Sequence, residues 1–171
     1  MGVFVGIDVS LENCAVCAVD EHGKLVKETK VASDPGALDA CIRGIPGVVE
    51  AIGIEAGPLS QWLHKSLTDL GLPVVLMETR QVKAALKAAP VKTDRRDAAG
   101  LARLLQMGWF RPVHCKSLSA QELRVLLGAR RSVQDAAINI EMSIRGMLRN
   151  FGLRLGRIGK VSFEDRVREL T

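Results

Sequence analysis

The sequence contains no tyrosine and few other rings: two tryptophans and four phenylalanines, so that aromatics make up 4% of the chain. A platform for stacking single-stranded bases needs more rings than that. Long apolar runs are also missing; none approaches the roughly 18 residues of a membrane helix, which excludes a membrane partner of that kind. No secretory leader is expected, because Met1 runs directly into the strand-like Val3-Phe4-Val5-Gly6-Ile7-Asp8. The four cysteines, Cys14, Cys17, Cys41 and Cys115, follow no framework spacing, which points to a reducing compartment and hence the cytoplasm. Cys14 and Cys17 fall in a strand pattern, where residues three apart face opposite ways, and no second pair exists, so structural zinc has little support. There is no glycine-rich phosphate loop to suggest nucleotide hydrolysis. Internal repeats and low-complexity segments are absent as well.

What is present is an ordinary globular balance over 171 residues, with 47% hydrophobic and 25% charged. The length suits one domain with an appendage. The net charge of +5 hides a division: residues 1–79 carry −6 and residues 80–171 carry +11. A strongly basic half suggests a polyanion, since Lys and Arg neutralising phosphates supply most non-specific nucleic-acid affinity.

Patterning predicts strands at Val3–Asp8, Cys14–Val19, Lys24–Val31, Val48–Ile54 and Val74–Met77, with a hairpin turn at Asp20-Glu21-His22-Gly23. Helices are expected from Asp34-Pro35 to Gly44, over Leu59–Leu70, from Thr79 to Ala89 before Pro90, and over Asp94–Met107. Three antiparallel strands followed by alternating helix and strand make an α/β domain on a mixed sheet of about five strands. Ser119-Ala120-Gln121-Glu122 reads as a capping box opening a long helix. Along it Leu123, Leu126, Arg130, Val133, Ala137, Ile140, Ile144, Met147 and Phe151 recur at steps of three and four, a coiled-coil seam that only Arg130 interrupts. A helix of that length spans roughly 45–50 Å, too long to bury against one small sheet. The expected division is a domain at 1–115, a basic coiled-coil helix at 116–152, and a linker at 153–171.

Asp8 and Glu55 each end an apolar strand, where an ionisable group is costly unless paired or bound to a cation. If the two strands are parallel neighbours, these carboxylates converge at one edge of the sheet. Asp94 and Asp97 lie three apart in Lys92-Thr93-Asp94-Arg95-Arg96-Asp97-Ala98, one helical turn from each other. Both would also suit a helix N-terminus, as N-cap and first-turn acid. The interleaved Lys92, Arg95 and Arg96 suit cations on phosphate beside carboxylates on metal. Such all-oxygen sets bind hard cations, Mg²⁺ or Mn²⁺, in two-metal phosphoryl-transfer sites. His22 and His64 read as surface residues, His114 as a candidate phosphate contact, Trp62 as core, and Trp109-Phe110 as a hydrophobic plug.

Taken in order, Gly6-Ile7-Asp8-Val9-Ser10, Gly53-Ile54-Glu55-Ala56-Gly57 and Lys92-Thr93-Asp94-Arg95-Arg96-Asp97-Ala98 resemble the N-terminal domain of the DEDD transposases of the insertion-sequence 110 family. The similarity continues through Trp109-Phe110-Arg111-Pro112-Val113 into the Arg-rich helix and covers about residues 3–155. The resemblance implies a ribonuclease-H-like fold related to the Holliday-junction resolvase RuvC. It also implies that Asp8, Glu55, Asp94 and Asp97 are catalytic metal ligands for Mg²⁺ or Mn²⁺. Family members are DNA recombinases, in some cases guided by a structured RNA, and carry a C-terminal domain whose serine attacks DNA. Lys92, Arg95, Arg96, Arg124, Arg130, Arg131, Arg145 and Arg149 become the expected nucleic-acid contacts, with DNA and a guide RNA as partners. A homo-oligomer through helix 119–151 is expected, and nucleoid association when on DNA. No serine of this chain matches the family's nucleophile, so residues 153–171 are expected to lead toward that further domain. Two other readings stay open: a stand-alone, structure-selective nuclease, and a non-catalytic nucleic-acid-binding and oligomerisation module.

Overall fold

Along the first strand Val3, Val5 and Ile7 alternate with Phe4, Gly6 and Asp8, and that period of two decides which helices cover which face of the sheet. The computed structural model describes residues 1–86 and 94–171. It divides into two compact units, Met1–Lys116 and Ser117–Thr171.

In the first unit β1 (Gly2–Asp8), β2 (Asn13–Asp20), β3 (Leu25–Ala32), β4 (Val48–Glu55) and β5 (Val74–Met77) form one sheet in the order β3-β2-β1-β4-β5. β1 to β3 run antiparallel in succession, while β4 is parallel to both β1 and β5. This is the expected mixed five-stranded α/β architecture. Asp20 turns the chain between β2 and β3: its carboxylate accepts from the N–H groups of His22 and Lys24, both at 2.9 Å, and Gly23 takes φ +76°. These hydrogen bonds, led by that from Lys24, hold the Asp20 carboxyl below its ordinary pKa.

One face of the sheet carries α1 (Pro35–Arg43) and α2 (Ser60–Asp69). Asp34 caps α1, accepting from Ala37 N–H at 2.9 Å, with Pro35 in the first turn. Leu38 and Ile42 of α1 and Leu63 and Leu67 of α2 bury against Val3, Val5, Ile7, Ile52 and Ile54. Each such side chain contributes about 1.5–3 kcal/mol on leaving water. Trp62, expected in this core, is 48% exposed, because Leu63 and Leu67 already occupy the buried stripe of α2.

The opposite face carries α3 (Thr79–Leu86) and α4 (Asp94–Gln106). Here β1 and β4 place Gly6 beside Gly53 in parallel register. A Cβ on Gly6 would lie 2.1 Å from the Ala98 carbonyl oxygen and 2.5 Å from the Ala102 nitrogen; one on Gly53 would lie 2.6 Å from Leu105 Cδ1. The two glycines, with Ala98 and Ala102, are what lets α4 lie directly on the strand backbones. Leu101, Leu104 and Leu105 then pack with Met77 and Val82, and Phe110 joins them. Trp109 does not plug this core with Phe110; it is 59% exposed. Residues 111–113 run along β5, with Glu78 N–H donating to Arg111 O at 3.0 Å and Val113 N–H to Leu76 O at 2.8 Å.

The second unit contains α5 (Leu118–Arg149), a short 3-10 turn (Lys160–Ser162) and α6 (Phe163–Leu170). α5 is one helix of 32 residues, about 48 Å long at 1.5 Å per residue. Its N-cap is Ser117, whose Oγ accepts from Ala120 N–H at 3.3 Å, two residues before the expected cap at Ser119. Gly152 (φ +73°) ends it, with Leu153 N–H donating back to Leu148 O at 3.1 Å, a left-handed glycine termination. The stretch 153–171, read from sequence as a linker, carries the 3-10 turn and α6, and there Leu155 and Phe163 bury with Leu148. Most of the three-four seam of α5 is exposed, Val133 at 70% and Ile140 at 61%. Among the described residues no helix is long and apolar enough to cross a membrane.

Candidate functional site

β1 and β4 are adjacent and parallel, and Ile7 pairs with Ile54. The next residue on each strand is an acid, Asp8 and Glu55, and by alternation both fall on the sheet face of Gly6 and Gly53. They line one cleft of about 500 Å³ with Val9, Ser10, Gly57, Thr79 and Lys83 among its walls. The convergence expected if the strands were parallel neighbours is therefore present for this pair.

The loops forming the walls are tied down locally. Ser60, 1% exposed, closes the turn after β4: its Oγ accepts from Gly57 N–H at 2.6 Å and donates to Gly57 O at 2.7 Å. Thr79 Oγ1 donates to Ala56 O at 2.7 Å, and Ala56 N–H donates to Met77 O at 3.0 Å, joining the head of α3 to the end of β4. On the other side Ser10 O accepts from Ser33 Oγ at 2.7 Å, and Ser10 Oγ donates to Asn13 O. An acid pair in such a cleft is held by backbone-anchored loops rather than by free segments.

α4 starts toward the same end of the sheet, but Asp97 is not among the residues that line the cleft of Asp8 and Glu55. Gln106, at the far end of α4, donates through Nε2 to Glu21 O at 2.9 Å in the β2–β3 turn, beside the start of β1. The helix therefore begins at the end where β1 and β4 finish, about 18 Å away along its axis. Asp97 sits half-buried in that first turn, one residue before Ala98, which overlies Gly6. Asp94 is the first residue of α4, and its side chain, like that of Arg95, lies outside the described residues. Lys92 lies outside them entirely. Among the described residues no three His, Cys, Asp or Glu side chains gather closely enough to hold a metal ion. The donors present are nonetheless hard oxygen ligands of the kind that suits Mg²⁺ or Mn²⁺.

The basic candidates divide between the units. Arg96 is exposed on α4. Arg124, Arg130 and Arg131 are exposed along α5, Arg131 within 3.8 Å of Asp135. Arg145 and Arg149 lie near its end, and His114 is exposed before it. Lys83 and Thr79 escaped the sequence reading, although the signal was available: a helix starting one residue after Glu78 has positions one and five on the same side. Cys14 and Cys17 are buried in the cores on opposite faces of the sheet. Burial pushes the Cys17 thiol up to about 11, with Glu28 adding to the effect, so it stays protonated at neutral pH and offers no thiolate to a metal.

Comparison with known proteins follows the same residues. Residues 5–152 match the family model of the IS110-type DEDD transposases, described as a transposase. The chain is 27% identical over 167 residues to the transposase for insertion sequence element IS1111A of Coxiella burnetii, covering 94% of this chain and 43% of that protein. It is 31% identical over 169 residues to a relative in Sinorhizobium fredii, also named as a transposase, covering 95% of this chain and 42% of that one. The chain thus spans about two fifths of the length of these relatives. Among solved structures, Thermus thermophilus RuvC in complex with a Holliday junction substrate is 20% identical, with TM-score 0.45, covering 66% of this chain and 100% of that one.

Proposed function

This chain belongs to the insertion-sequence 110 family of DEDD transposases, and from that premise we propose that its first unit is a divalent-metal site for phosphoryl transfer on DNA. The observation that carries the proposal is the single cleft in which adjacent parallel strands deliver Asp8 and Glu55, with α4 starting at the same end of the sheet. Asp8, Glu55, Asp94 and Asp97 would hold Mg²⁺ or Mn²⁺, which when bound supplies Lewis-acid polarisation of a phosphate oxygen. The chain's own work is then to position. Asp8 and Glu55 are set side by side by the sheet, and like charges that close are eased by a cation bound between them. Lys83, exposed on the cleft wall, and Lys92, Arg95 and Arg96 around the start of α4 would orient the DNA backbone against it. Strand transfer by the whole transposase would draw on the serine-bearing domain that the family resemblance implies.

The second unit, in the same proposal, binds a structured guide RNA through Arg124, Arg130, Arg131, Arg145 and Arg149. It also pairs with a second copy through the seam Leu123 to Phe151. The exposed apolar seam supports the pairing, because a helix of this length draws most of its stability from packing.

Calorimetric titration of the chain with Mn²⁺ tests the metal site. Asp8→Asn and Glu55→Gln should each weaken Mn²⁺ binding by about tenfold or more, since each removes a charged oxygen ligand. Mn²⁺ affinity indifferent to both substitutions would overturn the assignment.

A further inference from the structure

The second unit contains a concavity of about 560 Å³ that is separate from the acidic cleft. It is lined by Arg145 and Arg149, one turn apart on α5, and by the loop Gly152-Leu153-Arg154-Leu155-Gly156. Among the described residues no carboxylate lines it. Three guanidinium groups around one hollow repel one another, and such an arrangement is stabilised by an anion. Arginine near the C-terminus of a helix is ordinarily explained by the helix dipole, but that explanation does not reach Arg154, which lies beyond the left-handed Gly152.

The three arginines differ in how they are held. Arg145 is fixed: its Nη1 donates to Gly156 O at 2.8 Å, and its guanidinium sits 5.2 Å from the centre of the Phe163 ring. That clamp folds the loop back onto α5 and leaves other guanidinium N–H donors of Arg145 for a ligand. Arg149 and Arg154 are exposed, and among the described residues neither has an ion-pair partner. This contrasts with Arg166 and Arg168 of α6, each 2.7 Å from a glutamate. One positioned fork beside two available ones matches the planar, bidentate geometry of phosphate recognition. Leu155, buried beneath the loop, joins it to the Leu148 and Phe163 cluster, so the hollow has a fixed floor.

We propose that Arg145, Arg149 and Arg154 form a phosphate-binding notch that takes a phosphate of a nucleic-acid backbone. The proposal rests on the nucleic-acid reading of this unit and deepens it, converting a diffuse basic surface into one defined contact with a new member, Arg154.

The test uses the whole chain and three proteins: wild type, Arg149→Gln with Arg154→Gln, and a charge-matched control, Arg157→Gln with Lys160→Gln, both exposed in the same unit but outside the notch. Affinity for a hairpin RNA and for a duplex DNA is measured against KCl concentration in EDTA. The notch variant should lose about 0.9 log units of salt slope per log unit of KCl, one phosphate equivalent, while the control loses less than half as much. In parallel, inorganic phosphate is titrated while the arginine side-chain N–H resonances are followed. Saturable shifts at Arg145, Arg149 and Arg154, absent at Arg157, are expected. Nucleic-acid binding whose slope falls equally in both variants would overturn the notch while leaving the wider nucleic-acid reading intact. Failure of the wild type to bind either nucleic acid at low salt would overturn that wider reading. Phosphate shifts persisting in that case would assign the notch to a free phosphate compound and overturn its nucleic-acid occupant.

Discussion

The two units bury their apolar residues by opposite means. In residues 1–116 a sheet sandwiched between helices takes Val3, Val5, Ile7, Ile52, Ile54, Leu63 and Leu67 out of water altogether. In residues 117–171 a helix of similar apolar content keeps Leu123, Leu126, Val133, Ile140 and Met147 exposed, and only Leu148, Leu155 and Phe163 form a core. The sheet of the first unit is covered on both faces by helices, whereas the second unit carries an apolar stripe far larger than scattered surface residues produce. The same division separates their polar chemistry: a recessed pair of acids in one, exposed arginines in the other. Substitutions that act on one unit alone therefore sharpen the comparison, and those that spread to both break it.

The largest effect is expected at Gly6. Its missing Cβ is the space in which α4 meets β1, and an alanine there collides with the backbone of Ala98 and Ala102, which cannot move without displacing the whole helix. Gly6→Ala should cost about 3 kcal/mol, at the upper end of overpacking penalties. Both tryptophans, Trp62 and Trp109, lie in the first unit. A urea titration followed by tryptophan fluorescence therefore reads that unit alone. An unchanged midpoint would show that α4 can lift from the sheet without loss, and the acidic cleft would lose its rigid frame.

Next comes Ile140→Glu. In the single chain this side chain is 61% exposed, so a glutamate there should leave helix content and the tryptophan-detected transition unchanged. If α5 pairs with a second copy, however, the substitution buries an unpaired charge in the seam. Dissociation should then strengthen by tenfold to hundredfold, read by light scattering at micromolar concentration. A wild type that is monomeric, or an assembly untouched by Ile140→Glu, would leave the exposed stripe without a second copy as its cover.

Much of the first unit was legible because its signals are local and repeat. Val3 to Ile7 reads as a strand buried on both faces, and β1 is central in the sheet. The convergence of Asp8 and Glu55 needed only one further fact, that β1 and β4 pair in parallel. The role of Gly6 and Gly53 was not legible in the same way. Each reads as part of a motif, and only the register that sets them side by side reveals them as the bed for α4. Trp62 shares a helical side with Leu59, three residues earlier, but the buried stripe of α2 runs instead through Ser60, Leu63 and Leu67, which leaves Trp62 48% exposed. Ser119 misled because two serines compete for one cap, and Ser117 takes it. The notch around Arg154 was hidden for a third reason. It depends on a left-handed turn at Gly152 and on a side chain reaching eleven residues along the chain to Gly156 O, and no periodicity encodes that.

The smallest effect is expected at Gly128, and it has the opposite sign to Gly6. Gly128 lies in the middle of α5, and a Cβ added there meets nothing within 4 Å. It falls between Leu126 and Arg130 of the seam, on the side of the helix turned away from it. Glycine inside an exposed helix costs about 0.8–1.0 kcal/mol relative to alanine, through the backbone freedom it gains on unfolding. The hydrogen bond from Ser132 Oγ to Gly128 O, 3.1 Å, uses the carbonyl and survives the change. Gly128→Ala should therefore stabilise α5 by somewhat under about 1 kcal/mol, read as a higher urea midpoint in circular dichroism at 222 nm. The tryptophan-detected transition of the first unit should not move. A loss of stability instead would mean that another backbone approaches Gly128 closely. The contact surface of α5 would then include the side opposite its apolar seam, and pairing through the seam alone would be the wrong geometry.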